Sequence, residues 1–178
     1  MKHACCLALI LAAAATAQTY TKNGEMLLPK DYRSWDFLTS SLGLNYPEEG
    51  PPKGEPPFGN VFVNPKARQA YLKTGVWPDK TVLVLEVRKA QGRPGLDKNQ
   101  RFQTNVQAIE AHVKDSSRGG WMFYAFPNGS ANGKPIEKTA QCYSCHEKNA
   151  AVDTTFVQYY PTLIDTAKQH GTYKDVGE

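Results

Sequence analysis

Cysteine is scarce in this sequence. There are four, Cys5, Cys6, Cys142 and Cys145. The first two lie in an N-terminal apolar stretch, so the rest of the chain holds a single pair, and no disulfide framework of the kind that staples small secreted domains can be built from it. Long apolar runs are also missing. The stretch Ala4 to Ala15 is too short to span a bilayer comfortably. Clustered basic charge is missing as well. Lys and Arg total 21 against 17 Asp and Glu, a net charge of +4, and they are spread along the chain. A nucleic-acid footprint would be a concentrated basic patch, so nucleic acid is excluded as a partner. A weakly basic surface of this kind still suits an acidic redox partner.

What is present at the N-terminus predicts export. Lys2 supplies a positive charge, Ala4 to Ala15 the apolar region, and Ala15-Thr16-Ala17 an A-x-A cleavage site before Gln18. Residues 1–17 therefore read as a secretory signal peptide and 18–178 as one domain, periplasmic or otherwise exported, with no membrane span after cleavage.

The remaining cysteines belong to Cys142-Tyr143-Ser144-Cys145-His146. C-x-x-C-H is the signature of covalent c-type haem attachment. Two thiols three positions apart lie near each other on a helical turn and can each form a thioether with one vinyl group. The adjacent histidine is then held under the iron as an axial ligand. Three other readings compete. A redox C-x-x-C pair wants an early βαβ context, and this one lies in the last quarter of the chain. A zinc site needs a fourth ligand, and His112 and His170 lack finger-like spacing. A plain disulfide would leave His146 without a role.

The order of elements predicts an α+β fold, with helices flanking a run of strands that includes an antiparallel hairpin. Residues 18–29 read as a flexible lead-in. Asp31 to Leu42 has helix-compatible spacing, with Tyr32, Trp35, Phe37 and Leu38 as anchors. Pro47 to Pro57 is a surface loop, because its prolines lack donors and fix φ. Phe58 to Val63 is a short strand. Asn64 caps a helix opened by Pro65 and closed by Gly75. Thr81 to Arg88 is a central strand, with Leu83, Leu85 and Val87 on one face and Val82, Val84 and Glu86 on the other. Gln91 to Gln100 is a loop. Residues 106–126 form a hairpin whose first strand sets Ile109, Ala111 and Val113 against Glu110, His112 and Lys114. Pro127 to Pro135 is an irregular loop, the haem helix runs from about Ala140 to Ala150, and Asp153 caps a last helix that ends at Gly171.

What lies opposite His146 decides function. Met26, Met122, His112, His170 and a lysine are the conceivable second ligands, and none is marked by spacing. The small all-α electron carriers place a methionine after their motif, whereas here none follows His146. That leans towards an open axial site, as in a ligand-binding or catalytic haem.

Several runs resemble one family in order along the chain: Asn23 to Trp35 (NGEMLLPKDYRSW), Val61 to Pro65, Thr74-Gly75, Thr81 to Val84, Ala108 to Ser116, Gly120 to Tyr124 and Cys142 to Pro161. Together they are similar to the cytochrome P-460 family, which includes the cytochromes c′-beta. The resemblance implies a mostly β fold around one covalent haem c, a histidine proximal ligand at His146, an exchangeable distal site, and a homodimer. The cytochromes P-460 oxidise hydroxylamine and carry a pocket-strand lysine linked to the porphyrin; the cytochromes c′-beta lack that link and bind nitric oxide in an apolar distal pocket. The linking lysine should fall at Leu85, which has no amine. Lys89 is on the same face but roughly 13 Å along the strand at about 3.3 Å per residue, and Lys80 points the other way. Glu110 matches a pocket carboxylate that assists proton transfer in the oxidising members. Leu85, Phe58 and Phe62 are the candidates for the apolar distal wall. Three functions follow as expectations: binding of nitric oxide or a similar small ligand, hydroxylamine or nitric oxide oxidation with Glu110 moving protons, and simple electron transfer.

Overall fold

The computed structural model describes residues 18–43, 54–92 and 99–177. The expected signal peptide, most of the proline-rich stretch and the centre of the 91–100 loop lie outside the described residues.

The described strands are β1 (Met26–Leu27), β2 (Asp36–Leu42), β3 (Phe58–Val63), β4 (Val82–Gly92), β5 (Arg101–Asp115), β6 (Gly120–Phe126) and β7 (Asn132–Pro135). They form one seven-stranded sheet in the order β1-β7-β6-β5-β4-β3-β2, and every pairing is antiparallel. The helices are α1 (Pro65–Thr74), α2 (Gln141–Asn149) and α3 (Ile164–Gln169). The α+β expectation therefore holds.

Register decides which residues share a face. Val82 pairs Val113, Val84 pairs Ala111 and Glu86 pairs Ile109, while Leu83 pairs His112 and Leu85 pairs Glu110. Alternation then splits the sheet into a back face carrying the first set and a front face carrying the second. The back face buries Met26, Tyr32, Val82, Val84, Ile109, Ala111, Val113, Tyr124 and Phe126. One end of the front face buries Val63 and Leu83 beneath Ala67 and Tyr71 of α1, Trp77, and the C-terminal residues Val157, Tyr160, Leu163 and Ala167. The core is thus split by the sheet, and each half is closed by a different part of the chain.

Five expectations need correction. Asp31 to Leu42 is not a helix: a 3-10 turn at Tyr32–Ser34 leads into edge strand β2. Residues 18–29 include β1, which pairs with β7 at the opposite edge. Residues 28–35 therefore run from one edge to the other beneath the back face, where Leu28, Tyr32 and Trp35 pack. Pro127 to Pro135 contains β7, because Gly133 lets the backbone close against Phe126; a Cβ there would stand 2.6 Å from the ring. Asn64 does not cap α1 with its side chain. It accepts instead from Val82 N at 2.8 Å and donates to Lys80 O at 3.2 Å, tying the helix start to β4. The last helix shrinks to α3, because Asp153 and Thr154 take left-handed backbone that cannot enter a right-handed helix. Gly75 closes α1 as expected, with φ +67° and its N–H on Tyr71 O.

The back face also buries a carboxylate. Glu86 is 2% exposed. It accepts from Tyr32 Oη, from Arg33 Nε at 2.7 Å and from Arg88. Burial works against its charge, but the hydrogen bonds from Arg88, Tyr32 and Arg33 outweigh it and hold the pKa below the ordinary carboxylate value.

Candidate functional site

The C-x-x-C-H residues form α2, as the sequence predicts. Offsets of three and four put Cys142, Cys145 and His146 on one helical face. None of the helix is buried; Cys142 and His146 are half-buried and Cys145 is exposed. Both cysteines are free thiols. Tyr143 fastens the helix to β6, its hydroxyl accepting from Phe123 N at 3.0 Å and donating to Ile136 O at 3.3 Å.

His146 lies in an aromatic nest. Its ring centroid is 4.4 Å from Phe156, 4.7 Å from Phe123 and 5.0 Å from His112. Its Nδ1 is 2.7 Å from the carbonyl oxygen of Thr154. A carbonyl only accepts, so Nδ1 carries the proton and Nε2 keeps a lone pair for a metal. Burial pushes the imidazole pKa down, against the pull of that carbonyl.

The half-buried part of the front face continues beside this nest. Val61 pairs Leu85, Leu85 pairs Glu110, Val87 pairs Ala108, and Glu110 pairs Ala125. All six are half-buried. This strip is small and apolar except for Glu110. It adjoins Cys142, whose thiol pKa is raised by burial, with the Glu110 charge adding to the shift. A flat apolar strip beside a tautomer-fixed imidazole and two free thiols fits a haem held by α2.

Leu85, Glu110, Cys142 and His146 are thus gathered on one side of the sheet. Phe58 and Phe62 are not. Phe62 pairs Val84 and Phe58 pairs Arg88, which puts both on the back face, where Phe62 packs edge-on against Tyr32 at 5.9 Å. Val61, one residue from Phe62, takes the place expected for it. The sequence offers His112 as a possible iron or zinc ligand, and it assigns Phe123, Phe156 and Thr154 no place at the site. The spacing of His112 and Phe123 across the hairpin could have paired them; Thr154 carried no signal.

Geometry also sorts the conceivable second ligands. His112 is ring-to-ring with His146, which leaves no room for a porphyrin between them. Met26 and Met122 pack with the back-face core. His170 is exposed at the end of α3, against Gly75. The competing readings of the cysteine pair fare poorly too. Among the described residues no group of three or more His, Cys, Asp or Glu could hold a metal ion, and the antiparallel sheet offers no βαβ unit for a redox motif. A groove of about 980 Å³ between Gln18–Asp31 and α1 holds Lys30, Trp35, Lys66 and Lys80 but no cysteine or histidine.

A protein-family model described as Cytochrome P460 matches residues 29–157, from the segment before β2 through the turn after α2. No curated protein gives a significant match.

Proposed function

Taking as premise that the chain belongs to the cytochrome P460 family, a family of haem cytochromes, we propose that it is an exported mono-haem protein that binds nitric oxide or a similar small uncharged ligand. Cys142 and Cys145 hold the haem through thioethers, and His146 is the proximal iron ligand. The bound haem supplies an iron centre able to take a diatomic ligand. Everything else is done by the chain. Thr154 fixes the His146 tautomer and so keeps the Nε2 lone pair available for the iron that a haem would supply. Val61, Leu85, Val87, Ala108 and Ala125 exclude water and offer no side-chain donor to a polarised ligand. Residues 1–17 direct export.

The single observation that supports this reading is where the candidate second ligands sit: Met26 and Met122 pack with the back-face core, His112 lies against the His146 ring itself, and His170 is exposed at the end of α3. The same observation disfavours a six-coordinate electron carrier. Hydroxylamine oxidation remains the second reading, favoured by Glu110 on the front strip, where it can hold and release a proton beside Leu85. Among the described residues β2 is an outer strand of the sheet, with Phe37 53% and Leu42 57% exposed, which suits burial against a second copy of the chain.

Optical spectra of the purified holoprotein with and without nitric oxide test the proposal. A high-spin spectrum that converts on adding nitric oxide is expected. Low-spin six-coordinate spectra in both oxidation states, without added ligand, would overturn it. Mass spectrometry of the haem peptide separates the second reading, because a third covalent link to the porphyrin would restore the oxidase.

A further inference from the structure

The turn after α2 has an unusual backbone. Thr155 N bonds Val152 O at 2.7 Å and Val152 N bonds Thr155 O at 3.3 Å. Between them Asp153 and Thr154 have φ +44° and +62°. Two successive left-handed residues make a type I′ turn, whose usual occupants are Asn-Gly. Aspartate tolerates this region, but a β-branched threonine is an outlier in it. The carbonyl that meets His146 belongs to that outlier.

The surroundings hold the turn in place. Thr155 Oγ1 donates to Val152 O at 2.6 Å and accepts from Trp77 Nε1 at 2.8 Å. Lys114, on β5, pairs with Asp153 at 2.6 Å and donates to Trp77 O at 2.9 Å. The strand that carries Glu110 and His112 is therefore tied through Lys114 to the turn that meets His146. Strained backbone persists where its neighbours over-determine it, and it clusters at functional sites.

We propose that Asp153 and Thr154 are positioning residues for the iron ligand, with Lys114 as their anchor. The inference rests on the reading of His146 as that ligand. The left-handed pair aims the Thr154 carbonyl at Nδ1–H. A hydrogen bond there fixes the ring's rotation and makes Nε2 a stronger donor. If residue 153 leaves the left-handed region, the carbonyl turns away and Nδ1–H is left to water.

The test uses ferrous holoprotein and reads the iron–histidine stretching band by resonance Raman, together with the midpoint potential. Asp153→Ala loses both the ion pair and the tolerance for positive φ. It should lower and broaden the band and raise the potential. Asp153→Asn keeps the backbone preference and a polar contact to Lys114, and Thr154→Gly accepts positive φ freely; both should stay at the wild-type values. Lys114→Met should shift both readouts as Asp153→Ala does but less, and it serves if Asp153→Ala does not fold. Unchanged readouts in Asp153→Ala or Lys114→Met, or a shift in Asp153→Asn as large as in Asp153→Ala, would overturn the inference. An absent iron–histidine band in the wild-type protein would instead defeat the parent reading of an open, His146-ligated site.

Discussion

Acid should weaken this protein through one particular ring. His112 is 7% exposed. It stacks on Phe123 at 4.0 Å with the planes 10° apart, and on Trp121 at 4.2 Å. Burial, then the neighbouring His146, holds its pKa well below the ordinary 6.5. The unfolded chain takes up a proton near that ordinary value and the folded chain does not. The stability contribution is therefore complete above about pH 6.5 and is lost as pH falls towards the depressed folded pKa. Each pH unit in that window removes at most about 1.4 kcal/mol, so at pH 5 the loss is bounded at about 2 kcal/mol, against a typical total of 5–15 kcal/mol. His112→Phe keeps an aromatic ring between Trp121 and Phe123 but cannot titrate. Urea unfolding of wild-type and variant holoprotein between pH 7.5 and 5 isolates the one proton. The wild type should lose more stability than the variant as the pH falls, by up to about 2 kcal/mol at pH 5. Parallel stability curves would refute the claim that this imidazole is buried neutral.

Two further outcomes concern stability. Burial raises the pKa of Asp115, but its bonds from Lys80, Ser117 and Tyr20 dominate and set it at about 2. Because the folded value is the lower one, its contribution holds above the ordinary carboxylate range and disappears as pH falls through about 2; the charge-dependent cost of Asp115→Asn should be about 2 kcal/mol at pH 7 and shrink to a few tenths of that by pH 2, measured by denaturant titration at each pH. At Gly133 a Cβ would meet three ring atoms of Phe126 at 2.6 to 2.8 Å, and that ring is 1% exposed. Gly133→Ala should destabilise by about 1–3 kcal/mol, seen as a lower melting temperature with an unchanged haem spectrum; an unchanged melting temperature would show that the ring moves aside easily.

Much of the fold was legible in the sequence because period-two alternation is strong where it matters. Val82 to Val87 and Ile109 to Val113 show both faces of the central strands. The chain from Asp31 to Leu42 misled for a local reason. A register shift falls between Phe37 and Thr39, so neighbouring Phe37 and Leu38 break the alternation and imitate helical spacing. Phe58 and Phe62 lie on the expected strand but on the face away from Leu85, since a strand shows that it has two faces and not which of them a distant helix will cover. That choice is made by the Tyr143 bond to β6 and by the turn after α2, both tertiary. The cysteines and His146 needed no such context, because their spacing alone puts them on one side of a helix.

The first described residues have a mechanical consequence. β1 and β2 are the two outer strands of the sheet, and the segment joining them, pinned midway by Tyr32 on Glu86, passes underneath. The sheet wears this segment as a girth strap, buckled at both hems. A protease cut between residues 28 and 35 would loosen both margins together and bare the apolar underside, so fraying from either side converges on the same short piece of chain.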